Sequence, residues 1–469
     1  MATGFKAGLE IHAQLAGKKL FCNCPTDILD TAPDLQLMRR LRAVVGETGE
    51  IDKAAAYEQM KGKYFIYHFY DHANCLIDID EAPPNPMHQF AIKTAIKVAQ
   101  FLNAKIVDEI QVMRKTVIDG SNVSGFQRTA LIARNGWLDT SQGKVSIPSI
   151  ALEEDAAKKV KDTKTSTSYN LSRLGIPLLE IATGPDLKSP EHAKEAAQKI
   201  GLILRSVPHM RRGIGTIRQD VNVSIAKGAR VEIKGFQDVR SIPIVLQKEV
   251  ERQKKLIKQG KKTAPEVRKA EPDNTTSYLR PLPGAARLYP ETDVIPFKIP
   301  KAWLAEKKIE SIEQRAKRYE KMMGKDLALK LAKSDKIAIF EQIIKHNKKI
   351  KPSFVAETLI GAAKSIQRQY NITISPAESD FVDLFNALNK GTIVKDSVMD
   401  ILKETKPVKQ VLKKYAVMSD KELEKALRKI IKQNKGLPLN ALIGKAMALL
   451  KGKAEGKKIV ALLQQLAHQ

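Results

Sequence analysis

Near the start of the chain Leu9 and Ile11 alternate with Glu10, His12 and Gln14, the period-two pattern of a strand that buries one face. The same alternation recurs at Val145-Ser146-Ile147 and over Ile217 to Ile225, where Val221 and Val223 interleave with Arg218, Asp220, Asn222 and Ser224. Helical periods interrupt these segments. His88 to Asn103 carries Phe90, Ile92, Ile96 and Ala99 on one stripe, and Ser189 with Pro190 supplies an N-cap and first turn for Glu191 to Val207. The first half of the chain therefore predicts an α+β fold built on sheet.

Between 260 and 300 the spacing of prolines forbids long helices and predicts an extended, ordered connection. Beyond it the periods are helical, including Ser334 to His346 and Lys351 to Tyr370, and Ser419 with Glu422 has capping-box spacing. The expected organisation is an α+β unit over 1–297, an all-helical middle unit over 298–405 and a helical tail over 406–469.

Charge changes the picture. Among 469 residues, 80 Lys or Arg face 52 Asp or Glu, a net +28, which attracts polyanions and makes nucleic acid the first partner to consider. Composition weighs this evenly against a lysine-rich surface with no specific partner. No basic leader with an apolar core opens the chain and no apolar run reaches membrane-spanning length, so a soluble, cytoplasmic protein is expected. Three cysteines are too few for a disulfide framework in a chain of this size.

The alternating strands carry candidate chemistry. Glu10 and His12 share a strand face and could share a cation or a substrate. Glu153, Glu154 and Asp155 crowd the end of an apolar strand, where mutual repulsion favours a bound cation. Glu180 stands alone in the apolar run IPLLEIAT, where an ionised carboxylate needs a partner, either a cation or an internal arginine. Carboxylates with one imidazole suit Mg²⁺ better than zinc. In the run Met113 to Thr129, Arg114, Lys115 and Arg128 flank the Gly-Ser-Asn stretch with Ser121 and Asn122, which reads either as a phosphate-binding loop or as a tight hairpin turn. No GxxxxGK[ST] or GxGxxG run occurs, so a nucleotide site here is neither a Walker loop nor a Rossmann crevice. Cys22 and Cys24 with His72 and Cys75 offer four ligands of zinc type, although the long span between the pairs favours ordinary core thiols.

The segments GLEIHAQL, KLFCNCPTD, GETGE, DGSNVSGFQRT, ALEEDAAKK, RLGIPLLEIATGPD, RRGIGTIRQDVNVS and RPLPGAARLYPETD follow one another across residues 8–293. In that order they resemble the GatB/GatE family of tRNA-dependent amidotransferases, in its archaeal form. The resemblance implies a cradle-shaped amidotransferase domain, a helical middle and a tail that grips tRNA. It implies ATP-dependent amidation of Glu-tRNA(Gln) through a γ-phosphoryl-Glu intermediate, with ammonia from an asparaginase-like partner protein. It also places Mg²⁺ on His12, Glu153 and Glu180, with Glu10 and Glu154 as second cation or substrate contacts. Arg218 and Asp220 are the weaker candidates for lining the site. The family's archaeal form carries a domain-sized insert before RP-x-PGAAR, and here a short bridge near 261–276 takes its place. Two other readings are a relative that also acts on Asp-tRNA(Asn) and a non-catalytic tRNA-binding scaffold.

Overall fold

A computed structural model describes residues 4–46, 49–236, 238–282, 288–306, 309–434, 437–450 and 452–467. Parts of two sequence segments named above, at 47–48 and 283–287, lie outside the described residues. The chain divides into two compact units, Met1–Glu310 and Ser311–Gln469. Among the described residues no helix is long and apolar enough to cross a membrane.

The first unit is α+β, as its alternating pattern predicts. Its main element among the described residues is an eleven-stranded sheet. Ten of its strands are numbered here: β1 (Lys6–Gln14), β2 (Val112–Thr116), β3 (Phe126–Thr140), β4 (Gly143–Glu154), β5 (Pro177–Ala182), β6 (Ile217–Ser224), β7 (Val231–Phe236), β8 (Glu266–Ala270), β9 (Thr276–Pro281) and β10 (Leu288–Pro290). Their spatial order is β9-β8-β7-β6-β1-β5-β4-β3-β2-β10, with Lys105–Ile106 against β3. A four-stranded sheet in the same unit packs Phe65, Tyr67 and Tyr169 in its own small core.

Strand alternation gives the large sheet two unlike faces. Leu9 and Ile11 of β1, Leu152 of β4, Leu179 and Ile181 of β5 and Val221 of β6 are buried on one side. Three helices pack on that side: α1 (Gln89–Phe101), α2 (Pro190–Ser206) and α3 (Ile242–Lys258) bring Ile92, Ile96, Ile200, Leu204, Val245 and Leu246 to the core. The hydroxyl of Ser189 caps α2 by accepting from the His192 amide at 3.1 Å, as its sequence predicts. The proline-spaced stretch after 260 is indeed extended, and it forms β8 and β9 at one edge of the sheet and β10 at the other. Most of the predicted 261–276 bridge is thus sheet and turn.

The second unit is helical, with Ile337–His346 and Pro352–Tyr370 where helices were expected. One of its cores runs from Tyr319 to Val411 and another from Leu423 to Leu466. Ser419 and Glu422 form the expected capping box on Asp420–Gln433.

Candidate active site

The uncovered face of the large sheet is polar, and on it lies a cavity of about 630 Å³ lined by Glu10, His12, Lys115, Glu153, Glu180, Arg218 and Asp220, among others. Strand register explains this gathering of residues from distant parts of the sequence. His12 of β1 stands directly opposite Glu180 of β5 and Arg218 of β6, and Glu10 stands opposite Asp220. Glu153 of β4 pairs with Leu178, two residues along β5 from Glu180 and on the same face.

His12 Nε2 lies 3.3 Å from Glu10 Oε1 and 3.3 Å from Glu180 Oε2. Burial lowers the affinity of the imidazole for its proton, yet these two carboxylates outweigh it and push His12 up to about 10. Burial also raises Glu180, but Lys115 and His12 hold it well below the usual carboxylate range. Glu153 goes the other way. It is 2% exposed, and burial together with the Glu180 charge raises it despite the Lys115 ammonium in contact with it. Gln127 Nε2 donates to Glu153 Oε2 at 3.0 Å. Lys115 Nζ is also 3.6 Å from Glu180 Oε2, and that buried oxygen has no well-formed hydrogen bond.

The adjacent wall comes from β6 and β7. Lys234 bridges Asp220 and Glu232 at 2.6 Å each, and these acids, with Glu10, raise it although burial lowers it. Asp155, 1% exposed, accepts from Gln14 at 2.5 Å and from Arg218 at 2.9 Å. Asp155 belongs to the acidic run that the sequence singles out, whereas Glu232 and Lys234 are not among the residues that the sequence assigns to the site. The alternation of VEIKGF carries the same signal as GLEIH, with Glu232 and Lys234 polar between buried Val231 and Ile233.

Not every candidate reaches the cavity. Glu154 follows Glu153 on a strand and so points to the other face, where its carboxylate accepts from the Arg128 amide at 3.2 Å and pairs with the guanidinium at 3.5 Å. Arg128 and Arg114 are direct cross-strand neighbours, and both turn to the buried Glu291, at 2.7 and 2.5 Å. Ser121 donates its hydroxyl to Asp119 at 2.6 Å and Asn122 is buried. The Gly-Ser-Asn run is thus built as a tight turn, and of the proposed phosphate contacts only Lys115 lines the cavity.

The cysteines gather elsewhere. Donor atoms of Cys22, Cys24, Cys75 and Asp78 lie within 4.8 Å of one another. His72, the fourth ligand of the less favoured zinc reading, is outside this group, exposed and 3.3 Å from Asp27, and Asp78 lies beside the cysteines instead. Asp78 already pairs with the buried Lys19 at 3.0 Å.

Comparison with known proteins gives the family. Residues 5–305 match the GatB/GatE catalytic domain, and residues 338–466 match the GatB domain. The chain is 35% identical to a glutamyl-tRNA(Gln) amidotransferase chain of the GatE type from Methanocaldococcus jannaschii, with 98% of each chain covered. Proteins of the same name from Methanosarcina barkeri and Saccharolobus solfataricus are each 33% identical, over 98% of this chain and 97% of theirs. The first alignment takes 617 positions against a chain of 469 residues, so this relative carries a large insert that is absent here.

Proposed function

Because the chain belongs to the GatB/GatE family, we propose that it catalyses the ATP-dependent amidation of Glu carried on tRNA(Gln), using ammonia delivered by a separate asparaginase-like protein. The observation that carries this reading is the cluster of Glu10, His12, Glu153 and Glu180 on one wall of the cavity, with arginines and Lys234 on the next. Such a reaction needs both walls, one for a cation and one for phosphate.

Amidation of a carboxylate requires a leaving group better than hydroxide. The Glu side-chain oxygen attacks the γ-phosphorus of ATP and ADP departs; ammonia nitrogen then attacks the acyl carbon and phosphate leaves. Glu180 Oε2, which lacks a well-formed hydrogen bond, and the donor atoms of Glu10 and His12 within 4.8 Å of it fit a divalent cation; His12, Glu153 and Glu180 would hold Mg²⁺, with Glu10 beside them. A cation held there would supply neutralisation of the charge on the transferring phosphoryl oxygens. Ligation requires a neutral imidazole, so His12 must give up the proton that Glu10 and Glu180 favour. Glu10, which burial raises but His12 and the Lys234 ammonium together hold below its ordinary range, keeps the Lys234 charge beside it when His12 is neutral and would accept the proton that ammonia loses. Lys115 keeps Glu153 and Glu180 from repelling one another before the cation arrives.

The test uses the purified chain with ATP, Mg²⁺, Glu-tRNA(Gln) and an ammonium salt, and Gln-tRNA(Gln) is the expected product. Glutamine or asparagine in place of ammonium should give no product until the asparaginase-like partner is added. Amidation of Asp-tRNA(Asn) at a comparable rate would transfer the reading to the broader activity, and failure with both tRNAs would overturn it.

A further inference from the structure

The cations that line the cavity are not equivalent. Lys115 is committed to Glu153 and Glu180, Lys234 to Asp220 and Glu232, and Arg218 to Asp155. Two remain. Arg230 donates Nε to the amide oxygen of Asn222 at 3.0 Å, a neutral partner. Arg280, half-buried on β9, forms no side-chain hydrogen bond or ion pair among the described residues. Arg114 and Arg128, the arginines that sequence favoured for phosphate, are spent on Glu291 and lie outside the cavity lining.

A half-buried guanidinium that pairs with no acid among the described residues, and that lines a cavity, is open to an anion. Its position fits a long anion. Gly8 of β1, Asn222 of β6, Glu232 of β7, Val267 of β8 and Arg280 of β9 form one transverse row of the sheet. Four strand spacings separate Arg280 from β1, about 19 Å along the sheet. The acids around His12 repel a free polyanion, so its far end needs cations at the opposite wall. We infer that Arg230 and Arg280 bind the phosphate chain of a nucleoside triphosphate and aim its terminal phosphate at the acids around His12. This rests on the proposed amidation for the identity of the nucleotide, but the anion site itself does not depend on it.

The experiment measures binding to the full chain by calorimetry, with Mg-ATP, inorganic tripolyphosphate and adenosine as probes. Arg280→Gln should weaken Mg-ATP and tripolyphosphate about tenfold to a hundredfold, the usual worth of one or two charge-assisted hydrogen bonds. Adenosine binding should not change. Arg280→Lys should recover part of the loss, and Arg230→Gln should lose less because Arg230 is exposed. Melting temperature, read alongside, separates lost contact from lost fold. A double Arg→Gln variant that melts like the parent and binds both polyphosphates unchanged overturns the inference, and if it still amidates Glu-tRNA(Gln) the functional reading stands without it. Arginine-dependent tripolyphosphate binding in a chain that amidates neither tRNA supports the anion site while the functional reading fails.

Discussion

Neighbouring residues on one strand have opposite fates here, and the difference is testable. Glu153 faces the cavity, whereas the Glu154 carboxylate is tied to Arg128, which in turn is held by Glu291. Glu153→Gln should abolish amidation while leaving melting temperature nearly unchanged, because relief of burial and of the Glu180 repulsion offsets the lost Lys115 pair, and Lys115 keeps Glu180 as its partner. Glu291→Gln should do the reverse. Its carboxylate neutralises Arg114 and Arg128, and breaking such a buried cluster costs about 3–5 kcal/mol. The acid limb of stability provides a second check. Burial raises Glu291, but the two arginines hold it below its ordinary 4.5. A group whose folded value is depressed contributes stability that is present above the unfolded value and lost as pH falls through the folded one. The gap in melting temperature between parent and Glu291→Gln should therefore be full at neutral pH and shrink below about pH 4, and a gap independent of pH would show that Glu291 acts by packing alone.

At the scale of elements, period two is enough to put Glu10, His12, Glu180, Arg218 and Asp220 on polar strand faces, because a buried apolar face leaves the polar one only one direction. Two things are out of reach of that argument. It does not tell which strands neighbour which, so Lys234, 222 residues along from His12, is invisible in the sequence as a wall of the same cavity. Nor does it separate a phosphate loop from a turn, since both use Gly, Ser and Asn. The Asp119 to Asn122 segment resolves through packing. Gly120 has φ +87°, and a Cβ there would overlap the Phe65 ring of the second sheet. The left-handed backbone alone costs an alanine about 1–2 kcal/mol, and the buried Phe65 ring adds to it. Gly120→Ala should thus lower melting temperature and loosen the smaller sheet, detected as faster amide exchange over Tyr64–Phe69. Normal stability with lost ATP binding would restore the phosphate-loop reading.

For the whole molecule, the charge of +28 poses a question that the cores help to answer. Sequence put the start of the tail at 406, but Val408 and Val411 belong to the core that begins at Tyr319, with Tyr415 packed against it. A deletion after 405 would open that core and confuse unfolding with lost binding. Deletion after Ala416 removes only the segment whose own core runs from Leu423 to Leu466. That segment holds eleven Lys or Arg against four Asp or Glu. If it meets tRNA, as the family resemblance implies, each phosphate contact it makes releases counter-ions, and losing one lowers the slope of log affinity against log salt by about 0.7 to 0.9. The 1–416 chain should accordingly bind tRNA more weakly at low salt and with a flatter slope, while its melting transition stays cooperative. It should also still amidate at saturating tRNA with ammonium, because every described residue that lines the cavity lies before 283. An unchanged slope in a folded 1–416 chain would mean that these lysines are solvated surface, and that the polyanion is held by the remainder of the protein.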